Sequence, residues 1–272
     1  MTGEPDRAIG FFDSGVGGLT VLHECLVSLP AEDYLYVGDS GHFPYGDKSR
    51  EQLLERAGAV ARYLLHQQVK LLVVACNSAT AAAGDTVRAL GREAGVPVVT
   101  VVGPEAEIAG AITENGRIGV LATPATVSSG AYHQALEGQG RVFTVTEVAA
   151  PDLAPIIQGG ATFSEEVVAT VRGYCRPLNE AGVDTLILGC THYPLVAPLL
   201  QRILGRDVRL VTAGHAIAGA IQRRLASEGS LRPGGEEGGY GFRVTGDRES
   251  FVELGTRFLQ LPLEGRVEHV EI

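Results

Sequence analysis

The sequence predicts an α/β protein of two pseudo-symmetric domains with mostly parallel sheets and an active site in the cleft between them. Three observations predict it. The first is Leu71-Leu72-Val73-Val74-Ala75-Cys76-Asn77-Ser78, where an apolar run meets a small residue, a cysteine and two side chains that favour helix N-caps. It reads as strand, tight turn and helix, with the thiol at the carboxyl end of a buried strand, where open α/β sheets place their ligands. The second is Val183-Asp184-Thr185-Leu186-Ile187-Leu188-Gly189-Cys190-Thr191-His192, which repeats the pattern. Valine stands seven residues before each cysteine (Val69, Val183), leucine four before (Leu72, Leu186), and alanine or glycine one before. The third is an earlier echo in each half: Ile9-Gly10-Phe11-Phe12 runs into Asp13-Ser14, and Ile118-Gly119-Val120-Leu121 into Ala122-Thr123. Echo and cysteine are 67 residues apart in the first half (Ile9 to Cys76) and 72 in the second (Ile118 to Cys190). Two echoes at similar spacing describe a duplicated unit, and halves that face each other set two thiols on opposite sides of one cleft.

The elements follow in order. A strand at 9–12 meets the turn Asp13-Ser14-Gly15-Val16-Gly17-Gly18, which opens a helix over 19–29. The turn is no dinucleotide fingerprint, because Thr20 stands where the last glycine belongs, and it lacks the lysine of a phosphate loop. Its glycines instead let backbone approach a small ligand, with Asp13 and Ser14 pointing at it. A strand at 33–37 precedes the aromatic, glycine-rich loop Gly41-His42-Phe43-Pro44-Tyr45-Gly46, a wall or lid or an ordinary packed loop. Leu53, Leu54, Ala57, Val60, Ala61, Leu64 and Leu65 recur at helical spacing within 49–67. The Cys76 strand, a helix over 79–94 and a strand at 98–102 complete the first half. The second half predicts a helix at 105–115, a strand at 117–121, a helix at 128–139, a strand at 142–148 and a turn-rich connection at 151–160. A helix at 164–181, the Cys190 strand, a helix at 197–204 and a strand at 208–212 follow. A helix at 214–229, a loose loop at 231–241, a strand at 242–245 and a helix at 249–259 close the chain. Since the second half's strand–helix count is complete by Thr212, the tail belongs to the first half. The expected domains are 1–97 plus 213–272, and 98–212.

The 272 residues suffice for one large core or two modest ones, and 45 % apolar with 20 % charged residues is ordinary for a soluble globular chain. No apolar run approaches the roughly 18 residues of a membrane span, and no signal peptide is read at the N-terminus. A net charge of −10 without a lysine or arginine block argues against nucleic-acid binding. Four cysteines without clustered spacing form no disulfide framework, so a reducing cytoplasm is expected. Cys25 and Cys175 fall among apolar neighbours on predicted helices and read as core residues. Cys190 and His192 lack the close ligand pairs of a structural zinc site, so no metal is expected. A Cys/His nucleophilic pair would account for Cys190 and His192 but leave the echo at Cys76 unexplained.

Two opposed thiols suit removal of a proton from one face of a carbon and delivery of another to the opposite face, one thiol ionised and one protonated. Helix N–H groups behind each cysteine would lower its pKa. Asp13 can assist Cys76 and His192 can assist Cys190, while Asn77, Ser78 and Thr191 at helix N-termini can hold a substrate carboxylate. No lysine stands in these motifs to form a Schiff base with pyridoxal phosphate, so no cofactor is expected.

Phe12-Asp13-Ser14-Gly15-Val16-Gly17-Gly18-Leu19-Thr20-Val21-Leu22, Phe43-Pro44-Tyr45-Gly46, Ala75-Cys76-Asn77 and Leu188-Gly189-Cys190-Thr191-His192-Tyr193-Pro194-Leu195 together resemble bacterial glutamate racemases. The resemblance extends through Thr123-Pro124-Ala125-Thr126 and Gly246-Asp247-Arg248, nearly the whole chain. It implies cofactor-independent interconversion of L- and D-glutamate, supply of D-glutamate for peptidoglycan, and Cys76 and Cys190 as the acid/base groups. It places Asp13, Ser14, Tyr45, Gly46, Asn77, Ser78, Thr123, Thr191 and His192 around glutamate, and implies a homodimer, since many relatives are dimers. The chain departs from the family at Ser78, where threonine is usual, and at Ala122, where glycine is usual. It departs again at Ala150-Pro151 and Gln158, where relatives commonly carry Cys-Pro and a glutamate near the catalytic histidine. Relatives acting on aspartate share the two-thiol plan, so an aspartate racemase is the second reading. A racemase-fold protein that binds a protein partner is the third.

Overall fold

The computed structural model describes residues 5–160 and 164–272. The expected domains therefore fall outside the described residues at 1–4 and 161–163. The chain opens with β1 (Ile9–Asp13), α1 (Leu19–Ser28), β2 (Tyr34–Gly38), α2 (Arg50–His66), β3 (Leu71–Val74), α3 (Asn77–Ala94) and β4 (Val98–Thr100). It continues through α4 (Val102–Ile112), β5 (Arg117–Ala122), α5 (Pro124–Ser129), α6 (Ala131–Glu137), β6 (Thr144–Ala149), α7 (Leu153–Gln158) and α8 (Glu165–Ala181). The last elements are β7 (Thr185–Gly189), α9 (Ala197–Leu204), β8 (Arg209–Val211), α10 (Ala213–Glu228), β9 (Tyr240–Val244), α11 (Arg248–Leu259) and β10 (Val267–His269).

Every strand pairing is parallel. One sheet has the order β10-β9-β2-β1-β3-β4 and the other β6-β5-β7-β8. The duplication read from sequence is thus a duplication of topology. β1 lies between β2 and β3 as β5 lies between β6 and β7, with β4 and β8 on matching edges. The tail extends the first sheet, β9 pairing with β2 and β10 with β9. β4 pairs with β3, Val98 opposite Leu72, so the strand read as completing the first half joins the first sheet, although the division at 98 leaves it on the other side. The central strands are apolar on both faces, every residue of β1, β3 and β7 being buried, because helices cover both sides of each sheet.

Local chemistry sets the boundaries. Ser49 and Gln52 close a capping box at the start of α2, and Gly95 ends α3 in the left-handed region. The helix expected over 128–139 is divided at Gly130, whose φ of +66° ends α5 before α6 begins. The connection at 151–160 contains α7, and β10 was not foreseen at all. Among the described residues no helix is long and apolar enough to cross a membrane.

Candidate active site

The first sheet delivers Asp13 and Cys76 to one point. β1 and β3 are neighbours with Phe12 opposite Val74, so the residues just beyond their carboxyl ends emerge side by side. The second sheet does the same with Ala122 opposite Gly189, presenting Thr123 and Cys190. Both sets line one cavity: Ser14, Tyr45, Gly46, Cys76, Asn77 and Ser78 from the first half, Thr123, Cys190, Thr191 and His192 from the second. The space is about 20 Å³, room for roughly one water molecule, so the cleft is closed. Asp13 stands behind this wall, fully buried, and accepts from the Thr191 hydroxyl at 3.2 Å.

The glycine-rich turn works differently from its sequence reading. A Cβ on Gly17 would collide with His192 Nδ1 and Thr191 Oγ1, and one on Gly18 would meet the Asp13 side chain. The turn is glycine so that the second half's Thr191-His192 can approach it, while Ser14 alone of its residues lines the cavity.

Burial dominates the electrostatics. Desolvation, with the Asp13 charge adding to it, pushes Cys76 up to about 12, against the Ala79 and Ser14 amides and the Ser14 hydroxyl that favour the thiolate. The helix N-terminus thus acts in the expected direction, and burial outweighs it. Burial likewise pushes Cys190 above the ordinary thiol range, opposed by the His192 amide. Asp13 is raised by burial against several backbone N–H donors. Behind Cys190 the helix N-terminus expected from sequence is only a 3₁₀ turn, Tyr193–Val196.

His192 sits between Phe43 and Phe258, ring centroids 5.4 and 5.2 Å away. Desolvation holds it down to about 3, hence neutral. Its Nε2 lies 3.0 Å from Gln158 Oε1 and its Nδ1 3.9 Å from Cys190 Sγ. With Nε2–H donating to the amide oxygen, Nδ1 turns a lone pair toward the thiol. Among the described residues no three His, Cys, Asp or Glu side chains cluster so as to hold a metal ion.

Residues 27–221 match the Asp/Glu/Hydantoin racemase family. The chain is 42 % identical to the glutamate racemase of Geobacter metallireducens over 255 residues, 94 % of this chain and 93 % of that one. The chain belongs to the Asp/Glu/Hydantoin racemase family. Its fold overlays a glutamate racemase isoform from Bacillus anthracis with a TM-score of 0.93 at 34 % identity, covering 99 % of each chain. It also overlays the Francisella tularensis glutamate racemase solved with D-glutamate, at a TM-score of 0.91 and 31 % identity, covering 98 % of each.

As a member of this racemase family the chain is an isomerase, and its cleft rests on polar groups that sequence reading missed. The Tyr45 hydroxyl donates to Asp39 at 2.5 Å. Asp39 also accepts Arg56 Nε and Nη2 at 3.0 and 2.8 Å and the Thr245 hydroxyl at 2.7 Å. Burial would raise Asp39, but these donors hold it below its usual value. Ser78 and Thr123 share a hydrogen bond at 2.8 Å across the two halves, with Thr126 beside them. The family's Ser78 departure therefore keeps its hydroxyl in use. Asn77 gives its side-chain donors to Glu105 and Tyr132, at 2.9 and 2.7 Å, and so keeps none for a substrate carboxylate. Glu105 shares the mostly apolar helix α4 with a second carboxylate, Glu107, so nothing in the sequence distinguishes it.

Proposed function

We propose that this racemase interconverts L- and D-glutamate without a cofactor, Cys76 and Cys190 carrying protons on opposite faces of the α-carbon. The observation that carries this reading is the pair of thiols at matching strand ends, β3 and β7, on one closed cavity. One thiolate takes the α-proton, leaving a carbanion, and the opposite thiol protonates the other face. Burial raises both thiols, so the base must ionise with substrate present. A substrate ammonium offsets the burial that raises them. By the family resemblance, Cys76 acts on D-glutamate and Cys190 on L-glutamate, Asp13 assisting the first and His192 the second. The neutral imidazole, its Nδ1 facing Sγ, is oriented to accept the Cys190 proton. Ser14, Tyr45, Gly46, Asn77, Ser78, Thr123, Thr191 and His192 surround the substrate in this reading. First-turn N–H groups of α3 suit a carboxylate. The domains we assign follow the division expected from sequence, 1–97 plus 213–272 and 98–212, except that β4 (Val98–Thr100) joins the first on its pairing with β3. The product would supply D-glutamate for peptidoglycan, and the enzyme would work in the cytoplasm as a homodimer.

The test incubates purified, chelator-dialysed protein with L-glutamate, D-glutamate and L-aspartate and follows optical rotation. Both glutamates should racemise and aspartate should not. In deuterated water, early product should carry α-deuterium while residual substrate stays unlabelled, because each face has its own proton carrier. Faster turnover of aspartate, a metal requirement, or equal early labelling of substrate and product would overturn the reading.

A further inference from the structure

Glu105 is a fully buried carboxyl on α4 that the reaction above does not use. Among the described residues no cation pairs with it. Its Oε2 accepts Asn77 Nδ2 at 2.9 Å and the Tyr132 hydroxyl at 2.5 Å, and Asn77 Nδ2 also donates to the Tyr132 oxygen at 2.7 Å. Both Asn77 amide hydrogens are thus committed to a closed triangle. What remains is Asn77 Oδ1, buried, without a partner, on the residue next to Cys76 and on the cavity wall. Neither Glu105 nor Tyr132 lines that cavity.

We infer that Glu105 is a positioning residue: with Tyr132 it holds the Asn77 amide hydrogens away from the cleft and keeps Oδ1 open for the substrate's ammonium group. The inference rests on the amino-acid racemase reading above. Turning the amide over would set Oδ1 against Glu105 Oε2 and against a hydroxyl whose hydrogen already points at Glu105, two acceptor–acceptor contacts. The direction of the whole triangle therefore follows from one group that can only accept at Oε2. That holds for the ionised carboxylate, both of whose oxygens can only accept. Burial pushes Glu105 up to about 8, so a buried carboxyl here costs stability that an apolar residue would not. Without Glu105 the Tyr132 hydroxyl would need another acceptor, and the Asn77 amide already in contact with it would supply Oδ1 on turning over. The amide would then flip and present N–H groups to the ammonium.

The experiment compares Glu105→Leu, Glu105→Gln and Tyr132→Phe with the parent protein, circular dichroism confirming folding. Glu105→Met stands in if the leucine variant does not fold. An ammonium contact present in ground and transition states alike is uniform binding, so its loss should raise KM and spare kcat. Glu105→Leu should raise KM for both glutamate enantiomers about tenfold or more, with kcat nearly unchanged. Glu105→Gln, whose amide oxygen replaces Oε2, should restore parental KM, and Tyr132→Phe, which removes one of the two acceptors of the Asn77 amide, should raise KM less than Glu105→Leu does. Independently of turnover, the Asn77 side-chain amide resonances, identified by their loss in Asn77→Ser, should sit downfield in the parent and in Glu105→Gln. They should move upfield in Glu105→Leu. Parental KM with unmoved resonances in Glu105→Leu, or a Glu105→Gln variant as impaired as it, would overturn the inference. A parent that does not racemise glutamate would defeat the earlier reading, while the resonances would still decide the amide's orientation.

Discussion

At the scale of single residues, His192 shows how one neighbour sets a proton's place. Its partner is the neutral amide of Gln158, so nothing opposes the burial that holds the imidazole down to about 3. Gln158→Glu would set a carboxylate against Nε2 and raise His192 toward its ordinary range. The parent should show no His192 titration between roughly pH 5 and 8, and the variant should show one, read by nitrogen-15 NMR. An imidazolium beside Cys190 favours its thiolate. Below that new pKa, kcat with L-glutamate should therefore rise relative to kcat with D-glutamate, KM compensating to keep the equilibrium fixed. Glu105 supplies a stability prediction of opposite cause. Burial raises its folded-state pKa from 4.5 to about 8, so the folded state binds more protons than the unfolded one in that window. Its contribution is full below the unfolded value and is lost as pH rises through the folded one. Glu105→Gln should gain on the parent by roughly 1.4 kcal/mol per pH unit across that window, measured by urea unfolding at pH 5 and pH 8. Sequence made Cys76 and Cys190 legible because an internal echo marks them, and His192 because it stands two residues beyond Cys190 in a motif that resembles the family's. Tyr132, Asp39 and Arg56 were not, since their roles arise from contacts between residues far apart in the chain.

At the scale of elements, the strands that carry the thiols were readable from four or five consecutive apolar residues, and the long helices from their apolar spacing. The short edge strand β10 has no such run, and the break between α5 and α6 depends on a single backbone angle at Gly130. Helix glycines show why propensity alone misleads. Gly173 lies in α8 with nothing within 4 Å of an added Cβ. Gly173→Ala should therefore stabilise by roughly 0.5–1 kcal/mol. Gly91 lies in α3, where a Cβ would meet the Val96 carbonyl oxygen at 2.6 Å and collide with the Val98 side chain. Gly91→Ala should destabilise by about 1–3 kcal/mol despite alanine's better helix propensity. Urea midpoints of the two variants should shift in opposite directions, and a shared sign would show that propensity governs both sites.

For the whole molecule, duplication is the organising fact: two sheets with a common four-strand order each bring one thiol to one shared cavity. A single sheet could place a thiol on only one side of a bound α-carbon, so racemisation needs both halves, whereas proton exchange on one face needs only one. Single-thiol variants separate the two requirements. Cys76→Ser and Cys190→Ser should each lose most racemisation, because an alcohol is a far weaker acid than a thiol with a free pKa of about 8.5. On the proposed assignment, Cys190 in Cys76→Ser still faces the α-hydrogen of L-glutamate. It can take that hydrogen, exchange it with solvent and return deuterium to the same face. L-glutamate should therefore acquire α-deuterium faster than it racemises, and D-glutamate should stay unlabelled. Cys190→Ser should show the mirror result, labelling D-glutamate and sparing L-glutamate. Proton NMR of the α-position in deuterated water reads both variants directly. If either variant labels both enantiomers equally, one thiol reaches both faces, and the two halves are not the two sides of the reaction.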